Sequence, residues 1–176
     1  MHEMPKSSTD QGRWEERYTR FRFERSGRIL RVFISAPGPV NAVDAALHAE
    51  LATLFTDLQH DMASDLVILS GDGRAFSAGG DYDWFAEQIA DPRRFRDIGW
   101  EAKRIVLGLL ELEKPIICRL NGPAAGLGAT IALLCDVIVA DERAVIGDPH
   151  VKVGLVAGDG GAVIWPALVG MARAKE

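Results

Sequence analysis

Two cysteines among 176 residues are too few for a disulfide framework. Cys118 and Cys135 each close an apolar run, IIC and LLC, so they read as small buried hydrophobes in a reducing, cytosolic protein. No apolar stretch approaches the roughly 18 residues that a membrane span requires, so no membrane partner is expected. The opening MHEMPKSSTDQGR lacks the apolar core of a secretory signal. An excess of positive charge is also missing. The net charge is −5, which gives no support to nucleic-acid binding but still allows a local basic patch for a phosphate-bearing ligand. The four histidines and two cysteines are scattered rather than spaced as ligands, so no metal is expected.

What is present fits one globular domain of ordinary size, long enough to bury a core. Residues 1–15 read as a flexible polar tail and 16–176 as the core domain. Tyr18 to Glu24 alternates as a strand, and Arg28 to Ser35 forms a second after the turn Ser26-Gly27. Pro37-Gly38-Pro39 ends it. Asp44 is placed to cap a helix carrying Leu47, Leu51, Leu54, Phe55 and Leu58 at helical spacing. Leu66 to Ser70 and Ile116 to Leu120 read as buried strands, with Gly71 to Asp81 a loop after the first. A polar segment precedes a long helix from Pro92 to about Glu113, whose apolar side is Trp100, Ile105, Leu109 and Leu112. Gly126 to Cys135 is an apolar helix and Asp136 to Ala140 a strand. A last helix after Gly158-Asp159-Gly160-Gly161 continues to Val169. Such alternation argues for an α/β fold.

Chemistry concentrates in two strand-following loops, Ala75-Phe76-Ser77-Ala78-Gly79-Gly80-Asp81 and Asn121-Gly122-Pro123-Ala124-Ala125-Gly126-Leu127-Gly128. Glycine lets a ligand approach the peptide closely. The second loop opens a helix, whose first amides are unpaired and favour negative charge. Amides from both loops could converge on one oxygen, although such loops also serve tight packing alone. A dinucleotide loop is a poor fit, because Gly126-Leu127-Gly128 is followed by Ile131 where GxGxxG needs its last glycine. No GxxxxGK[ST] occurs either.

FSAGGD at 76–81 resembles the FxAGxD loop of the enoyl-CoA hydratase/isomerase, or crotonase, superfamily. NGPAAGLGATIALLCDVIVA at 121–140 is similar to its second signature. Asn41-Ala42 with Glu50-Leu51 resembles its early NA…EL segment, and GDPHVKVGLVAGDGG at 147–161 its fourth block. The resemblance implies a crotonase-like spiral of ββα units, lacking the usual C-terminal helical part that covers the site and helps trimerise. It implies a homo-oligomer built on trimers, and no separate cofactor, since CoA enters as part of the substrate. It also implies an oxyanion hole from the backbone N–H groups of Gly80 and Leu127, lying side by side and unpaired, with Ala78, Gly79, Gly126 and Thr130 lining the substrate pocket.

The two glutamates with which family hydratases add water match Thr130 and His150 here, and a threonine hydroxyl cannot serve as a general base. The ionisable pair left in the fourth block is His150 and Asp159. That block particularly resembles the branch containing 6-oxocamphor hydrolase, which cleaves a β-diketone with water through a His/Asp pair. The resemblance therefore implies His150 and Asp159 as catalytic residues, with Asp159 orienting the imidazole. The substrate is an acyl-CoA thioester or, alternatively, a CoA-free diketone. A catalytically silent, truncated family member is the third reading. Asp81 reads as a loop brace, Trp84 and Phe85 as pocket or core wall, and Arg93, Arg94 and Arg96 as a solvated helix face. The run Pro37-Gly38-Pro39-Val40 lacks the basic residue that family members often carry before the NA pair.

Overall fold

A computed structural model describes residues 14–91 and 93–176, apart from the side chain of Arg94. The expected polar tail lies outside the described residues except for Trp14 and Glu15. These open a 3₁₀ helix, Trp14–Arg17, because Trp14 packs edge-on against Tyr18 and Phe23.

In chain order the main elements are β1 (Phe21–Ser26), β2 (Ile29–Ile34), α1 (Ala45–His60), β3 (Leu66–Gly71), α2 (Tyr82–Ala90) and α3 (Arg94–Leu110). They continue with β4 (Ile116–Leu120), β5 (Ala124–Ala125), α4 (Leu127–Leu134), β6 (Val137–Ala140), β7 (Ile146–Gly147) and α5 (Gly161–Ala174). Five strands form one sheet in the order β1-β2-β3-β4-β6, antiparallel at the first pair and parallel thereafter. The short β5 and β7 pair separately and in parallel. This is the expected α/β architecture, a sheet parallel in all but its first pair that places the loops after β3 and β4 at one end.

The core follows from the periodicity. Leu47, Leu51, Leu54, Phe55 and Leu58 of α1 are buried against Leu30, Val32, Val67 and Leu69 of the sheet. Asp44 caps α1 by accepting the Leu47 N–H at 2.8 Å and is itself paired to Arg20. Both cysteines are buried.

Two expectations change. The polar segment before α3 is itself a helix, α2, started by Asp81, whose carboxylate accepts the Trp84 N–H. Trp100 is 62% exposed rather than part of the apolar side of α3, where Ile105 and Leu109 are buried, and Lys103 lies over its ring. The last helix runs to Val169 as expected, where Gly170, at φ 79°, breaks the helical path before a further turn reaches Ala174.

Asn41 joins the sheet to the loop that follows β3. It sits at φ 50°, a left-handed conformation that asparagine tolerates better than most residues. It is buried, its Oδ1 accepts the Ala36 N–H, and its amide donates to the carbonyls of Asp72 at 2.8 Å and Ala75 at 3.1 Å. Its own carbonyl accepts the Ser77 hydroxyl. Asn41→Ala would strand these groups in the interior and keep the unfavourable φ, so unfolding free energy should fall by about 2–4 kcal/mol in a denaturant titration. A loss under about 0.5 kcal/mol, the range of an ordinary surface substitution, would show that the loop is held by other means.

Candidate active site

The loops after β3 and β4 run side by side. The Phe76 N–H donates to the Pro123 carbonyl at 3.0 Å and the Ala125 N–H to the Ser77 carbonyl at 2.9 Å. Gly79 and Gly126 lie where these backbones touch, at φ 82° and 51°. A Cβ on Gly79 would fall 2.8 Å from the Ala125 carbonyl oxygen, so the approach excludes any side chain.

The residue after each glycine has an unpaired amide. Val43 bridges the first loop by donating to the Gly79 carbonyl and accepting from the Asp81 N–H, which turns the N–H of Gly80 away from that bridge. Leu127 is the first residue of α4, where a helix has no internal acceptor for an N–H. Among the described residues, neither amide donates to a protein acceptor. The ring of Phe85 lies tight against Gly80, where a Cβ would come within 2.1 Å of its Cζ. Trp84 stacks on that ring at 5.7 Å.

A third loop completes the site. Gly126 donates its N–H to the Gly147 carbonyl at 3.1 Å, so the end of β7 is tied to the start of α4. Asp148, Pro149 and His150 follow directly. The imidazole edge of His150 faces Gly126, with Cε1 3.2 Å and Nε2 3.6 Å from the position of a Cβ there. Its Nδ1–H donates to the Asp148 carboxylate, which also accepts the His150 backbone N–H at 3.2 Å. Its Nε2 lies 3.2 Å from Asp159 Oδ2. Asp159 is carried by the loop before α5, where Gly160 packs against Thr130 of α4 and Val106 of α3.

The ring therefore stands between two carboxylates. The hydrogen bond to Asp159 raises the His150 pKa from 6.5 to about 9, against the opposing effect of burial and with further help from Asp148. At neutral pH His150 is held as an imidazolium. One oxygen of each carboxylate, Asp148 Oδ2 and Asp159 Oδ1, is buried without a hydrogen-bond partner. The three residues also place one potential ligand atom each within 4.8 Å of one another, a donor set a divalent ion could use only by displacing the imidazole proton.

The structure thus brings together Gly79, Gly80, Gly126, Leu127, His150 and Asp159. Ala78 is exposed at the loop tip, where its N–H donates to Val40. Thr130 is fully buried and its hydroxyl has no partner. The expected division of roles changes, because the carboxylate on Nδ1 is Asp148, whereas Asp159 lies on Nε2, at the ring edge that faces Gly126. Sequence reasoning passed over Asp148. The signal was available in Asp-Pro-His, since an aspartate readily bonds the backbone two residues on. The Arg93 and Arg96 side chains are about nine-tenths exposed, at 92% and 90%.

The sheet, the paired glycine loops and the helix that starts on the second of them define a crotonase-type protein. The chain belongs to the enoyl-CoA hydratase/isomerase family, whose profile matches residues 24–176. It is 33% identical over 151 residues to 1,2-epoxyphenylacetyl-CoA isomerase of Escherichia coli, covering 83% of this chain and 56% of the relative. It is 34% identical over 155 residues to short-chain-enoyl-CoA hydratase of Clostridium acetobutylicum, covering 87% and 58%. An enoyl-CoA hydratase/isomerase structure from Mycobacterium paratuberculosis superposes with a TM-score of 0.85 at 36% identity, over 89% of this chain and 63% of that one. The chain thus spans little more than half the length of the curated relatives it matches.

The raised His150 pKa has a sign that stability measurements can read. The imidazolium contributes its full stabilisation below the ordinary value of 6.5 and loses it as pH rises through about 9. Relative to His150→Gln, the wild-type melting temperature should therefore decline across that window. Parallel curves for the two proteins would show that the ring gains nothing from its two carboxylates.

Proposed function

We propose that this chain carries the carbonyl-binding and proton-transfer site of an enzyme acting on an acyl-CoA thioester. The observation that carries this reading is the contact of Gly79 with the loop of Gly126, which leaves the amides of the next residues, Gly80 and Leu127, unpaired on two loops that meet where the His150 ring faces Gly126. The thioester oxygen accepts both N–H groups. As a proton leaves the carbon next to the carbonyl, the C–H electron pair flows toward that oxygen. The negative charge then develops where fixed donors already point, and one such donor is typically worth about 3 kcal/mol in a transition state. The proton passes to the His150/Asp159 pair, and its return to another carbon or to a leaving group completes the turnover. The E. coli and C. acetobutylicum relatives carry acyl-CoA substrates in their names, which supports the thioester. The replacement of both hydratase glutamates, by Thr130 and His150, favours isomerisation or hydrolysis over hydration by the two-carboxylate route.

The test is isotope-edited infrared spectroscopy with a slowly reacting acyl-CoA analogue labelled at the carbonyl carbon. Binding should lower the C=O stretching frequency, and an unshifted band would remove the oxyanion assignment. A labelled cyclic β-diketone, measured in parallel, distinguishes the CoA-free reading, which predicts the shift for the diketone alone. Once a substrate is in hand, Asp159→Asn should lower kcat by about 10²-fold or more with little change in KM. Wild-type kcat in that variant would place the proton transfer elsewhere.

A further inference from the structure

We propose that Asp148 is a positioning residue of the proton-transfer unit, holding His150 by Nδ1 so that Nε2 meets Asp159 and Asp159 is the end that exchanges protons with substrate. The inference rests on the acyl-CoA reading for its chemistry but not for its geometry. A histidine has two ring nitrogens, and the partner of one fixes what the other can do. Here Asp148 takes Nδ1 while its second contact, to the His150 backbone N–H, fixes the carboxylate relative to the ring it orients. Nε2 is then committed to Asp159 at 3.2 Å, and Asp159 Oδ1 is left without a partner. A base needs a free lone pair; Asp148 Oδ2 also lacks a partner but rests on Gly161 at the start of α5, so the lone pair left for substrate is on Asp159. In the forward step a substrate C–H bond breaks, an O–H bond forms at Asp159, and the electron pair moves to the carbonyl oxygen held by Gly80 and Leu127. His150 stays protonated throughout and donates to whichever Asp159 oxygen carries charge.

Asp148 is itself seated by a steric device. Its Oδ2 lies only 2.3 Å from where a Cβ on Gly161 would stand, so the carboxylate rests on the first residue of α5. The positive end of that helix favours the anion. Asp148 and Asp159 are the charged groups acting on the imidazole, and α4 meets it through the backbone of Gly126.

Two variants test the proposal. Asp148→Asn keeps the shape and removes the charge. Gly161→Ala keeps Asp148 but puts a methyl group where its carboxylate sits, the next contact being the milder one with the Ala157 Cβ at 3.1 Å. The readout is the ¹⁵N spectrum of the His150 ring across pH in the ligand-free protein, assigned by its loss in His150→Gln. In the wild type both nitrogens should stay protonated well above pH 7. In each variant the midpoint should fall by about one pH unit or more. With substrate, both variants should lose kcat by about tenfold or more at unchanged KM, with a displaced pH profile, and Asp148→Glu should recover part of the loss. A wild-type midpoint in the folded variants overturns the proposal, as does a wild-type ring that deprotonates near its ordinary value. If Asp148→Asn does not fold, the wild-type titration and Gly161→Ala decide. A ring that behaves as expected beside an unshifted thioester band would retain the positioning role of Asp148 and remove the acyl-CoA reading. The reverse pair of results would do the opposite.

Discussion

The contact between the backbone of Gly79 and the carbonyl of Ala125 governs the rest of this site. At 2.8 Å from a hypothetical Cβ, it admits no residue other than glycine without moving one loop off the other. Once the two loops touch, the hydrogen bonds available to each are largely fixed. Phe76 and Ala125 bond across the pair, and Val43 takes the outer side of the first loop. The amides of Gly80 and Leu127 are what is left over. An unpaired N–H is unfavourable in a folded protein unless something accepts it. On the proposed reading the two are a preorganised demand for an oxygen, paid for by the folding of the loops and not by the ligand. Asn41 belongs to the same constraint, because it fixes the segment that leads into Gly79.

The second determinant is electrostatic. Two carboxylates close together in a half-buried site repel each other. Placing an imidazolium between them offsets that repulsion. The unit of Asp148, His150 and Asp159 is held by contacts from two separate loops and does not rest on one flexible side chain. A purely structural ion pair is the competing account. It leaves unexplained why the ring edge abuts Gly126, the residue that introduces a free amide, and why each carboxylate keeps an oxygen without a partner.

Much of this was legible in the sequence, for identifiable reasons. The periodicity of α1 and the apolar runs of β3 and β4 carry their own signal, since burial on one face imposes the spacing. The pairing of the two glycine loops came from order and motif, because nothing in a glycine run says which other backbone it will approach. Two kinds of feature escaped. The helix α2 is short and exposed on most faces, and its start depends on Asp81 capping Trp84, an interaction with weak sequence contrast. Trp100 fits an apolar stripe by spacing, yet it stands outside the packed face because α3 covers α1 through Ile105 and Leu109. Asp148 escaped for a different reason. A local Asp-Pro-His turn accounts for it fully until the chain brings Asp159 to the other side of the ring, and that requires tertiary structure.

The substitutions at the two glutamate positions look, in sequence, like the loss of a mechanism. In space they are more nearly an exchange. Thr130 is buried beneath Gly160, so the loop bearing Asp159 is seated on the residue that took the place of one carboxylate. His150 occupies the position of the other, and its Nε2 reaches back to that same Asp159. Thr130 seats the loop that carries Asp159, and His150 on the third loop gives that aspartate a nitrogen to meet. The two positions are physically coupled through one aspartate. On the proposed mechanism, the proton taken from substrate moves onto Asp159 alone, beside a ring that keeps its own proton.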